Sequence, residues 1–115
     1  MTESVLYIKK GCSTCVDVLK WLKANHVPVT VRDLFTDPLS KVELTALLGN
    51  HAPGDLLSTR SPRYKALGLD QRTLSADEIL SLMAGDPYLV RRPTLAIGDQ
   101  LIIGCDKAAY SAISV

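Results

Sequence analysis

Two thiols stand three positions apart in the stretch Tyr7 to Cys15, "YIKKGCSTC". A C-x-x-C pair where a strand turns into a helix is a redox signature with a mechanism. The first turn of a helix has unpaired backbone N–H groups and a partial positive charge, so a thiolate at its start is stabilised and its pKa falls. Cys12 occupies that place and is the candidate nucleophile. Cys15, one turn further in on the same side, is set to attack a mixed disulfide on Cys12 and release the reduced product. Lys9 and Lys10 add positive charge nearby.

Two other readings of the pair stay open in the sequence. Zinc takes four ligands, and neither a second C-x-x-C nor a spaced histidine pair is present; His26, His51 and Cys105 could contribute only by folding together. No metal site is expected. Free cysteines also pack as small apolar side chains, and Cys105, alone beside Gly104, is expected to be structural.

Two arginines are the next candidates. Arg60 in "STRSPRYKALG" stands just before a Ser61-Pro62 helix start, and Arg92 in "YLVRRPTLAIG" stands just before Pro93 at the start of a strand. Guanidinium groups bind oxyanions in a planar, often bidentate way, so two aimed at one thiol would make a site for a tetrahedral oxyanion or a carboxylate. Exposed arginines near loop ends are the alternative, and sequence does not show convergence.

The elements that must position these residues are legible in outline. Ser4 to Ile8 is an apolar run that suits a buried strand, and "STCVDVLKWLKAN" places Cys15, Val18, Leu19 and Leu22 at helical spacing, with Asn25 as a stop. Val27 to Leu34 alternates Val27, Val29 and Val31 against smaller or polar partners, which predicts a second strand with Pro28 at an edge or its first position. Together they make a βαβ unit. Ser40 with Glu43 and Ser75 with Glu78 are capping boxes, and Ser61-Pro62 opens a short helix that stops at Gly68. These predict three short helices. From Pro93, "PTLAI", "GDQ" and "LIIG" read as a hairpin, and Asp106 starts a final helix. The order βαβ, helical insert, ββα is the thioredoxin plan. It predicts an α/β fold with a central mixed four-stranded sheet, in one domain spanning 1–115 with an insert at about 38–90.

Composition bounds the function classes. The chain has 115 residues, 47% hydrophobic and 22% charged, with a formal charge of +1. That is enough to bury a core without staples, and too little charge for a general pull toward nucleic acid or anionic membrane. The start has no export-signal pattern and no run approaches 18 apolar residues, so a cytoplasmic, monomeric protein is expected. An odd count of three cysteines without such a signal argues against a structural disulfide framework.

Along nearly its whole length the chain resembles the arsenate reductase (ArsC) and Spx family. "CSTC" after the first strand, "LSKVELTALL", "DLLSTRSPRYKALGL", "LSADEILSLMAGDPYLVRRP" and the closing hairpin follow the family's order. The resemblance implies a thioredoxin-like fold and a proline at position 93 facing the cysteine loop, open to the cis form that an ordinary X-Pro bond takes about 5% of the time. Cys12 matches the catalytic thiol; Arg60 and Arg92 match two of three oxyanion-holding arginines. The third falls around Gly104, Cys105 and Asp106, where no arginine stands and an acid would repel arsenate. Cys15 and "STRS" instead resemble the Spx branch, in which a C-x-x-C disulfide switches a regulator that binds the RNA polymerase α subunit. The tail "RPTLAIGDQLIIGCDKAAY" resembles the glutaredoxin pattern, which implies that Pro93, Gly104 and Asp106 could meet glutathione; Asp106 as a helix N-cap is the simpler reading. No bound cofactor is implied. The expected electron donor is glutathione, thioredoxin or glutaredoxin, and the expected partner is a thiol reductant or a disulfide-bearing protein.

Overall fold

Four short strands and the helix after the first carry the cysteine turn. In the computed structural model, which describes residues 4–98, 100–104 and 106–112, the chain divides into two compact units, one of residues 1–37 with 92–115 and one of residues 38–91. The first unit holds β1 (Ser4–Ile8), α1 (Ser13–Ala24), β2 (Thr30–Asp33), β3 (Thr94–Ile97), β4 (Gln100–Ile103) and α6 (Lys107–Ser111). Its sheet has the order β2-β1-β3-β4. β1 runs parallel to β2 and antiparallel to β3, and β3 runs antiparallel to β4, so the sheet is mixed, as the element order predicts.

The central position of β1 explains its composition. Leu6 and Tyr7 point to opposite faces and both are buried, as a strand covered on both sides requires. Leu6 packs with Val18 and Leu22 of α1, with Val27, with Leu95 and Ile102 of the hairpin, and with Tyr110 of α6. Trp21 and Tyr110 add a tilted ring pair, centroids 6.0 Å apart.

α1 ends as the sequence indicates, with Asn25 at the C-cap. The N–H of Val27 donates to Leu22 O at 2.9 Å and that of His26 to Lys23 O at 3.2 Å, the paired bonds of a Schellman motif. This puts His26 at φ +58, in a position usually given to glycine.

β2 departs from expectation. It begins at Thr30 rather than Val27, and the three valines do not share a fate: Val27 is buried, Val29 half-buried and Val31 42% exposed. Two causes account for this. Val27's N–H is committed to α1, and Pro28 has none to give to a ladder. β2 is also an edge strand with a neighbour on one side only.

The second unit contains α2 (Lys41–Leu48), α3 (Pro53–Leu56), α4 (Pro62–Ala66) and α5 (Ala76–Gly85), with 3₁₀ turns at Leu69–Gln71 and Pro87–Leu89. The expected helices are present, and both capping boxes form reciprocally, Ser40 with Glu43 and Ser75 with Glu78. α3 and the 3₁₀ turns are additions, too short for periodicity to reveal; Pro53 at the first helical position was the available signal. Leu44, Leu56, Leu69, Met83 and Leu89 are fully buried. An isolated antiparallel bridge joins Leu57 to Val90, flanked by Ser58 N–H to Leu89 O at 2.7 Å and Arg91 N–H to Leu56 O at 2.9 Å. Among the described residues no helix is long and apolar enough to cross a membrane.

Candidate functional site

The strand β1 hands the chain to α1 through a tight turn, Lys9 to Cys12. The N–H of Cys12 donates to Lys9 O at 3.1 Å, and Gly11 sits at φ +86, which the third residue of a type II turn requires. A Cβ on Gly11 would meet nothing within 4 Å, so glycine is needed here for backbone conformation rather than space.

Cys12 leaves the turn extended, at φ −81 and ψ 116, and is the N-cap of α1. Its sulfur accepts a hydrogen bond from the backbone N–H of Cys15 at 3.3 Å, where a Ser or Asp oxygen usually stands. The two cysteines, both thiols, differ sharply in access: Cys12 is half-buried and Cys15 is 2% exposed. The sequence placed them on one side of a helix start; the burial of Cys15 is what the structure adds.

Burial pushes the Cys15 thiol from its ordinary 9.0 up to about 12, and hydrogen bonding with Cys12 and the charge of Cys12 act in the same direction. The backbone N–H of Lys9 and the charge of Arg92 oppose them. Cys15 is therefore a neutral thiol at physiological pH.

Arg92 is half-buried, with Cζ 5.5 Å from the centroid of the Phe35 ring, and Lys9 Nζ lies 5.2 Å from the same centroid. Each such contact contributes about 0.5–1 kcal/mol at exposed sites. Phe35 is carried by a turn closed by Asp37 N–H to Asp33 O at 2.9 Å and Phe35 N–H to Asp33 Oδ1 at 2.8 Å. Arg32 braces that turn, donating from Nε to Asp37 O at 2.9 Å and pairing with the Asp37 carboxylate at 3.3 Å. Sequence reasoning missed Phe35, although it is the one phenylalanine of the chain.

The remaining candidates have local structural partners. The Arg92-Pro93 bond is cis, Pro93 is fully buried, and its carbonyl accepts the Gly104 N–H at 2.8 Å. The Gly104 carbonyl accepts from the Tyr110 hydroxyl at 3.1 Å. Asp106 caps α6, its carboxylate accepting the Ala109 N–H at 3.1 Å. Cys105 lies outside the described residues. Arg60 belongs to the second unit, where it is exposed in the turn before α4. Among the described residues no group of three or more His, Cys, Asp or Glu side chains could hold a metal ion.

Comparison with known proteins places these features in context. The family model described as the ArsC family matches residues 7–113. The chain is 33% identical over 114 residues to the regulatory protein MgsR of Bacillus subtilis, covering 97% of this chain and 90% of that one. It is 30% identical over 109 residues to the global transcriptional regulator Spx 2 of Lactococcus lactis subsp. lactis, covering 93% and 83% of the two chains. Among solved structures, an ArsC family related protein from Bacteroides fragilis superposes with a TM-score of 0.86 at 26% identity, covering 95% of each chain.

Proposed function

Because the chain belongs to the ArsC family, with the family's thioredoxin-like fold, we propose that it is a thiol–disulfide redox protein cycling between a Cys12–Cys15 dithiol and the corresponding disulfide. The observation that carries this reading is the pairing of an accessible sulfur, faced by the Cys15 N–H at 3.3 Å, with a buried second thiol. Cys12, as thiolate, attacks one sulfur of a disulfide, forms a mixed disulfide and releases one thiolate. Cys15 gives up its proton, attacks the Cys12 sulfur and displaces the second. Two electrons pass from the dithiol to the substrate, and two thiols leave.

Arg92 and Arg60 are the residues assigned to an anionic substrate or to the thiolate. Pro93, with Gly104 and Asp106, is assigned to the groove for a partner or for glutathione. Regeneration falls to glutathione, thioredoxin or glutaredoxin, and the cytoplasm is the compartment whose thiol pool suits such a couple. Arsenate is the poorer substrate: the third arginine of its site is missing and Asp106 stands in that neighbourhood. Mass spectrometry after mild peroxide tests the couple. Loss of two hydrogens in the wild type, abolished in Cys12→Ser and in Cys15→Ser, supports it; an unchanged mass in the wild type defeats it.

A second reading is favoured by the relatives at 30% and 33% identity, named as a global transcriptional regulator and as a regulatory protein. In that reading the same couple switches a regulator that binds the RNA polymerase α subunit without turnover of its own. Pull-down against that subunit in reducing and oxidising buffer separates the two. Redox-dependent capture, with no turnover of small disulfides, would establish the regulator.

A further inference from the structure

The main chain of Lys9 meets both cysteines. Its carbonyl accepts the Cys12 N–H at 3.1 Å, and its N–H donates to the Cys15 sulfur. The second of these bonds bears on resolution, because Cys15 attacks as a thiolate and a donor facing its sulfur favours the charged form. Lys9 stands just past the end of β1, where Leu34 N–H to Ile8 O at 3.0 Å joins the ends of β1 and β2. Phe35 follows Leu34, and its ring centroid lies 5.2 Å from Lys9 Nζ. The backbone under the ring is held by its own turn: Phe35 N–H donates to Asp33 Oδ1 at 2.8 Å, Asp37 N–H donates to Asp33 O at 2.9 Å, and Arg32 braces Asp37. Contacts therefore run from the turn of residues 33–37, through one ring, to the residue whose main chain serves both cysteines.

From this arrangement we propose that Phe35 is a positioning residue: by holding the Lys9 side chain it keeps the Lys9 main chain aligned with Cys12 and Cys15, and it acts on the step in which Cys15 displaces the substrate from Cys12. The inference rests on the dithiol–disulfide reading above and adds a residue to that site. The contact of an ammonium with a ring face is small against the stability of a domain and still enough to move a rate severalfold. The effect falls on the second step rather than the first, because the Cys12 sulfur is oriented independently by the Cys15 N–H at 3.3 Å, within the first turn of α1.

A single turnover with 2,2′-dithiodipyridine, a neutral disulfide, separates the two steps in a Cys105→Ser background that removes the third thiol. In the first phase the Cys12 sulfur attacks, the S–S bond of the probe breaks, and one 2-thiopyridone leaves. In the second, Cys15 gives up its proton, its sulfur attacks that of Cys12, and the other 2-thiopyridone leaves as the Cys12–Cys15 bond forms. The ratio of second-phase to first-phase rate is the readout, because loss of folded protein lowers both amplitudes and leaves the ratio alone. Phe35→Leu is expected to lower the ratio about fivefold, with the first-phase rate within about twofold of the wild type. Phe35→Tyr, which keeps the ring face, is expected to keep the wild-type ratio. Lys9→Met leaves the contact of Arg92 with the ring in place and is expected to lower the ratio as far as Phe35→Leu does, whereas Lys9→Arg keeps it. The Lys9→Met/Phe35→Leu double variant falls no further, since the ring acts through the lysine. Where Phe35→Leu does not fold, Lys9→Met with Lys9→Arg as its control decides. A ratio unchanged in either single variant, or one that falls further in the double variant, overturns the proposal and leaves the dithiol chemistry standing. A wild type that releases one 2-thiopyridone and stops would instead overturn the chemistry on which it rests.

Discussion

The backbone N–H of Cys15 points at the sulfur of Cys12, 3.3 Å away, while the side chain of Cys15 is turned into the protein. The same first turn therefore does two things: it caps a helix with sulfur, and it holds the second sulfur away from solvent.

Alkylation should follow that asymmetry. At pH 7 iodoacetamide is expected to label Cys12 at least about tenfold faster than Cys15, because the thiolate is the reacting form and Cys15 is held near 12. Peptide mapping after timed quenching reads the two rates. Equal labelling, or Cys15 first, would contradict the assigned roles.

The stability of the reduced protein should depend on pH through Cys15. Its folded-state pKa, about 12, lies above its ordinary 9.0, so the folded state holds the proton more tightly. The contribution is fully present below pH 9 and is lost as pH rises toward 12, at up to about 1.4 kcal/mol per pH unit. Urea denaturation at pH 8 and pH 10 is expected to show a larger loss for the reduced wild type than for Cys15→Ala. An identical loss in both would remove Cys15 as the cause.

Gly11→Ala is expected to destabilise the protein by about 1 kcal/mol, since the added methyl finds open space but the backbone must hold φ +86. The same change should slow reaction at Cys12, whose N–H closes the turn on Lys9. Denaturation midpoints and thiol-exchange rates measure both. A neutral substitution would show that the turn can relax without moving the sulfur.

His26→Gly is expected to act in the opposite direction, raising stability by about 0.5–1 kcal/mol. His26 is exposed and held at φ +58 by the Schellman bonds that end α1, a conformation glycine adopts without steric cost. A denaturant titration that shows no gain would mean that the histidine side chain makes a compensating contact.

How far the sequence reveals all this depends on the range of the forces involved. β1, α1 and the two capping boxes are readable because their causes lie within a few residues: apolar spacing, a Ser followed by Glu, an Asn at the end. β2 is misread in its length because its first valine is claimed by the end of α1, a bond that alternation does not register. Cys12 and Cys15 are legible as a pair; the burial that separates their chemistry depends on how the unit packs. Phe35 is invisible for a stronger reason. Its partners lie at positions 9 and 92, brought to it only after the sheet has formed.

The pairing of β1 with β3, Leu6 opposite Leu95, has a kinetic side. Its partners are roughly ninety residues apart in the chain, and closing so long a loop is a large entropic step on the way to the native state. The segment between them holds β2 and is otherwise built of helices, and those of residues 38–91 are closed by neighbours a few positions away. Local turns of that kind form before distant strands meet. Folding of α2 to α5 ahead of the sheet shortens the loop that β1 must close on β3, so refolding is expected to slow in variants that weaken those helices, although they contribute no strand to the sheet.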